Sequence, residues 1–115
     1  MLENQTELRK NIERNWAAFK RAMPELTQAQ EAHTMEVYKD GEVGGKHKRL
    51  MALVGALVSG CRGCILFQTN AALELGATAG EILESCAVAV SLGGTMASAN
   101  TVRVIEYLVE NGVME

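Results

Sequence analysis

Apolar residues recur along this chain at helical spacing, and nowhere do they alternate with polar ones over a strand-length run. Leu8, Ile12, Trp16, Phe19 and Met23 stand three or four apart among Glu, Lys and Arg, which predicts an amphipathic helix ending at Pro24. Leu26 to Asp40 carries a weaker stripe through Leu26, Ala29, His33 and Val37 and ends at "KDGEVGGK", whose glycines break any helix. Lys46 to Ser59 begins basic and is apolar on every face after Arg49, as in a helix surrounded by neighbours, and Gly60 is its natural stop. A further helix is expected from about Cys61 to Leu75, closed by Gly76. "TAGE", Thr78 to Glu81, is a capping box that opens the next one. That helix should end at Gly93 and Gly94, with a last one running through Val102, Ile105, Leu108 and Val109 to Gly112. The expected fold class is all-α, a compact bundle of five to six helices in a single domain over residues 1–115.

Composition agrees. The chain is 48% apolar but only 4% aromatic, so its core must be built from Leu, Val, Ile, Ala and Met, a mix that favours packed helices over a sheet sandwich. With a formal charge of −3 and no basic stripe, it lacks the means to neutralise a phosphate backbone, and nucleic acid is not an expected partner. The charged N-terminal stretch lacks the pattern of a signal peptide. The longest uncharged run, Ser85 to Val102, holds too much Ser, Gly, Thr and Asn for a good membrane span, so a cytoplasmic protein with no membrane partner is expected. The helices over Leu50–Val58 and Ile82–Leu92 are more apolar than so small a domain can enclose. Burial between subunits of a homo-oligomer follows, with the first helix and its Trp16 and Phe19 as a docking element.

Most of the chemistry rests on "SGCRGCILFQTN", Ser59 to Asn70. Cys61 and Cys64 invite four readings. A zinc site needs four ligands, and only Cys86, His33 and His47 remain to complete one, without a second close-spaced pair. A structural disulfide closing so short a loop constrains little of the unfolded chain. A chance pair in a core is the third reading. The fourth is a redox dithiol, favoured because thiols at a helix N-terminus meet free N–H groups and a positive dipole end that stabilise the thiolate. Arg62 adds a nearby cation. With a helix starting near Cys61, the side chains of Cys61, Cys64 and Gln68 share a face, and Cys61, closer to the helix end, should ionise first. Arg49 lies roughly 15 Å back along one helix and Gln68 roughly 10 Å forward along the next, so the two should face each other beside the thiols. Cys86 reads as a small buried core residue, His33 as a partly buried polar one, and His47 as lying on a different helical face from Arg49. No metal and no organic cofactor is expected.

Taken together, "YKDGEVGGKHKRLMALVGALVSGCRGCILFQTNAALELGATAGEILESCAVAVSLGG", Tyr38 to Gly94, resembles the core of the carboxymuconolactone decarboxylase superfamily, in its CxxC-bearing branch similar to alkyl hydroperoxidase D. The resemblance implies an all-helical fold assembled as a trimer or hexamer. It also implies a pair, Cys61 and Cys64, that cycles between dithiol and disulfide while reducing a small peroxide or disulfide substrate or exchanging electrons with a protein donor. That branch carries a Glu twelve residues before the first Cys and a His four after the second, a proton relay to the thiols; here those positions hold Arg49 and Gln68. Neither residue is a general base near neutral pH. The expected function is therefore a thiol–disulfide oxidoreductase or weak peroxidase. The alternative is a relay-deficient oligomeric binding or structural member, and decarboxylation is the poorer match because its chemistry does not depend on a CxxC pair.

Overall fold

Pro24 divides the first forty residues into two helices, α1 (Gln5–Ala22) and α2 (Pro24–Tyr38), because its ring starts a helix readily but cannot continue one. In the computed structural model, which describes residues 2–115, these are followed by α3 (Gly45–Ser59), α4 (Arg62–Glu74) and α5 (Ala79–Glu110). Among the described residues helix makes up 82% and there is no strand. Thr78 and Glu81 form the expected capping box at the start of α5, each side chain bonded to the other's backbone N–H. The expected break at the double glycine is a kink inside α5: Gly94 takes φ 61° and ψ −139°, and helix resumes directly after it.

The core lies where α3 packs against α4 and both arms of α5. Leu53 and Leu57 of α3, Ile65 and Ala72 of α4, and Ile82, Ala89, Ala97, Val104 and Leu108 of α5 meet there, joined by Cys86. Gly93 allows the closest approach. A Cβ built on it would stand 2.9 Å from the Ala97 Cβ, across the Gly94 kink within α5, and 3.4 Å from a Val58 methyl of α3, so a larger residue would force the two arms of α5 apart and crowd α3.

Several expected faces differ from those observed. On α3 one side stays open, with Met51 63% exposed and space beyond Gly55. The stripe on α2 is also solvent-facing: Leu26, Val37 and His33 are exposed, and the buried residue is Thr27, whose hydroxyl returns to the Met23 carbonyl. Ile12, Trp16 and Phe19 of α1, and Met23 just after it, are likewise exposed. The second arm of α5 buries Val104, Tyr107 and Leu108 while Val102 and Val109 face outward. The cause is shared: α1 and α2 lie outside the three-helix core and touch it over limited areas, so their stripes find no partner within the chain. The α5 helix is long and apolar enough to cross a membrane by length and composition alone, with a mean hydropathy of 1.4 in its best window.

At the opposite end from Pro24, α1 is clasped by the C-terminus of α5. The Glu110 carboxylate accepts from the N–H groups of Gln5 (2.8 Å) and Thr6 (2.7 Å) and from the Thr6 hydroxyl (2.6 Å). An anion thus sits where the helix presents its unpaired donors and the positive end of its dipole.

Candidate functional site

Gly60 sets the geometry around the cysteines. It ends α3 in the left-handed conformation, φ 77°, a region that costs nothing only for glycine, and both its N–H and that of Cys61 return to the Ala56 carbonyl. The chain reverses there and α4 begins at once. Cys61 is the residue that caps α4 rather than its first helical one, with φ −79° and ψ 101°, and its Sγ accepts a hydrogen bond of 3.2 Å from the Cys64 N–H. The shared face expected for Cys61, Cys64 and Gln68 is therefore carried within the helix by Cys64 and Gln68 alone, while Cys61 reaches back over the helix end. Cys61 and Cys64 are joined by a disulfide, with Cα atoms 5.2 Å apart. Cys64 is exposed and Cys61 half-buried.

Neighbouring helices fence this loop. A Cβ on Gly63 would meet Ile12 of α1 at 3.5 Å, and one on Gly60 would lie 3.7 Å from Asn100 and 3.8 Å from the Met96 sulfur of α5. Asn100 also donates to the Leu57 carbonyl at 3.1 Å, holding the second arm of α5 against the end of α3. Arg62, expected to lend positive charge to the thiols, is instead engaged by Glu3 at 3.2 Å. Glu3 bridges to Arg103 at 2.8 Å, and the hydrogen bond from Arg103 holds its carboxyl below the usual range.

Arg49 and Gln68 are in contact: the guanidinium Nη1 of Arg49 donates to Oε1 of Gln68 at 3.1 Å. The same guanidinium lies over the Tyr38 ring, 3.7 Å from its centroid, and 5.7 Å from the centre of the Phe67 ring. Tyr38 and Phe67 carry no functional signal in the sequence; only the fold brings the end of α2 over the start of α3 and shows their part. Arg49 pairs with no carboxylate among the described residues.

The remaining candidates lie elsewhere. Cys86 is buried and free, its thiol pushed up by desolvation against a hydrogen bond with Thr101. His33 and His47 are both exposed. Among the described residues no three His, Cys, Asp or Glu side chains group as metal ligands. An open hollow lined by Ala22, Met23, Pro24, Glu25 and Leu26 holds no cysteine, and Cys64 is itself exposed, so a molecule can reach it at the surface.

Comparison with known proteins places this geometry. A carboxymuconolactone decarboxylase family protein from Legionella pneumophila superposes with a TM-score of 0.87 at 31% identity, over 92% of this chain and 95% of that one. A family protein from Thermotoga maritima, for which a part in the antioxidative response has been suggested, gives 0.70 at 29% identity over 75% of this chain and 89% of its own. An uncharacterised protein of Cupriavidus necator is 31% identical over 83 residues, 72% of this chain and 74% of that protein. The model of the carboxymuconolactone decarboxylase family matches residues 24–107, which include the whole α3–α4 hairpin and its cysteines. The chain belongs to the carboxymuconolactone decarboxylase family.

Proposed function

We propose that this protein is a thiol–disulfide oxidoreductase or weak peroxidase working through Cys61 and Cys64. The observation that carries the reading is the cap at the start of α4. Cys61 Sγ already accepts an N–H at the positive end of a helix, the setting that stabilises a thiolate, and its disulfide partner Cys64 is open to solvent. With a disulfide substrate, one thiolate attacks a substrate sulfur and expels the first thiolate product. The second cysteine then gives up its proton and attacks the mixed disulfide, releasing the second product and closing Cys61–Cys64. With a hydroperoxide, attack on oxygen expels an alcohol and leaves a sulfenic acid, which condenses with the second thiol to give the disulfide and water. Either way two electrons leave the dithiol, and an external dithiol, small or carried by a protein, restores it. Membership of a family with a member linked to antioxidative response supports the reading. The proposed setting is the cytoplasm, where such a donor is at hand.

The test is to reduce the protein fully, remove the reductant, add hydrogen peroxide or a small disulfide, and count free thiols over time, with Cys61→Ser and Cys64→Ser alongside. Loss of two thiols per chain in the parent, and no intramolecular disulfide in either variant, is expected. Thiols that persist unreacted through both challenges would overturn the proposal in favour of a relay-deficient binding or structural protein.

A further inference from the structure

The positive charge beside the dithiol has no internal use. Arg62, Arg103 and Lys46 are each paired with a carboxylate, and the Lys48 ammonium donates to the carbonyls of Val37 and Lys39. Arg49 instead holds an amide and an aromatic face, neither of which neutralises it. Its hydrogen bond to Gln68 uses one of five N–H donors, and stacking on Tyr38 fixes the plane in which the others fan out. Gln68, which it holds, is one helical turn beyond the exposed Cys64, so their Cβ atoms are roughly 6 Å apart. Phe67, 46% exposed, offers apolar surface in between. A guanidinium paired with no carboxylate among the described residues, and bonded to a side chain one helical turn from the exposed sulfur, suits a carboxylate, whose two oxygens match its fork, on a short apolar arm from the reacting sulfur.

We propose that Arg49 is a specificity-determining residue that directs the dithiol toward small disulfides bearing a carboxylate a few bonds from sulfur. This rests on the redox reading above. The reaction balances as before: the substrate S–S bond breaks, the Cys61–Cys64 bond forms, and the two cysteine protons leave with two carboxylate-bearing thiols. The preference opposes the charge of the chain as a whole, which at −3 repels anions, so it must come from a local group.

Three disulfides that share two methylenes between sulfur and the end group isolate the effect: 3,3′-dithiodipropionate, bis(2-hydroxyethyl) disulfide and cystamine, with anionic, neutral and cationic ends. Each is added to the prereduced protein, and each rate constant is divided by that for free dithiothreitol with the same compound. The anionic compound should be favoured over the cationic one by about tenfold, and added salt should shrink the ratio. Arg49→Met should bring the ratio to that of dithiothreitol, while Arg49→Lys should keep part of it, retaining charge but not the fork. A wild-type ratio near one, or a ratio that survives Arg49→Met, overturns the assignment and leaves the redox reading standing. Failure of the wild type to react with any of the three overturns the assignment, and overturns the redox reading as well if hydrogen peroxide also leaves the thiols intact.

Discussion

Arg49 donates to Gln68 across 3.1 Å, which puts in direct contact the two residues that the sequence resemblance aligns with a proton relay. On the redox reading proposed above, the α3–α4 hairpin holds a permanent cation and an amide where proton transfer to the thiols would need an acid and a base. Arg49→Glu combined with Gln68→His should restore acid–base groups at the right place and raise peroxide turnover by about 10²-fold. Steady-state peroxide consumption, with the fold checked by circular dichroism, measures it. Unchanged turnover in a folded double variant would show that these positions do not serve the thiols.

Cys61, as the capping residue whose Sγ accepts the Cys64 N–H, should be the more acidic thiol of the reduced protein. Exposure favours Cys64 for any reagent, so absolute labelling is a poor guide. The pH profile separates the two effects: alkylation of Cys61, followed by peptide mass mapping, should persist to lower pH than that of Cys64. Coincident profiles, or the reverse order, would refute it.

Glu110→Gln should loosen α1. Partial desolvation works to raise the Glu110 pKa, but hydrogen bonds from the Thr6 hydroxyl and from the N–H groups of Gln5 and Thr6 outweigh it and hold the carboxyl below its usual range. A group whose pKa falls on folding stabilises the native state above its unfolded pKa and loses that contribution as the pH falls through the folded value. The variant should therefore be less stable by about 1 kcal/mol at neutral pH, with the difference closing in acid. Denaturant unfolding at several pH values would reveal it, and a gap independent of pH would contradict the clasp.

Gly93→Ala should destabilise the fold even though alanine is the better helix former. The new methyl would stand 2.9 Å from the Ala97 Cβ on the far side of the α5 kink, with a Val58 methyl of α3 at 3.4 Å, so the kink must open and the α3 contact must give slightly. A loss of about 1–3 kcal/mol is expected from overpacking, less the gain in helix propensity. Thermal unfolding decides the sign, and a stabilised variant would mean the α5 kink and the Val58 contact give way freely.

The open faces predict assembly. Leu92 is 71% exposed, with Val88, Met96 and Met51 each more than half exposed and Trp16 and Phe19 also outward, an apolar surface large for a monomer. A closed homo-oligomer, a trimer or hexamer, is expected in sedimentation equilibrium at micromolar concentration. A stable, folded 12.4 kDa monomer would refute it.

Local chemistry in the sequence determined much of this protein. Pro24, Gly60 and the Thr78–Glu81 box fix where helices begin and end because their effects act within one turn. With those breaks in place, the rise of an α-helix suffices to bring Arg49 opposite Gln68 and the CxxC pair to the start of α4. The family pattern was legible for the same reason, being a succession of local signals. Tertiary structure decided what depends on residues far apart in the chain. The apolar stripes of α1 and α2 look like core stripes, but whether a stripe is covered depends on the area its helix shares with α3, α4 and α5. Glu3 reaches Arg62 and Arg103, and Glu110 reaches Thr6, only after the two ends of the chain are packed together. Tyr38 comes to lie on Arg49 only because the turn after α2 folds back over α3. Helical periodicity records which side chains share a face; which partner that face meets is settled by the competition of all five helices for the same apolar contacts.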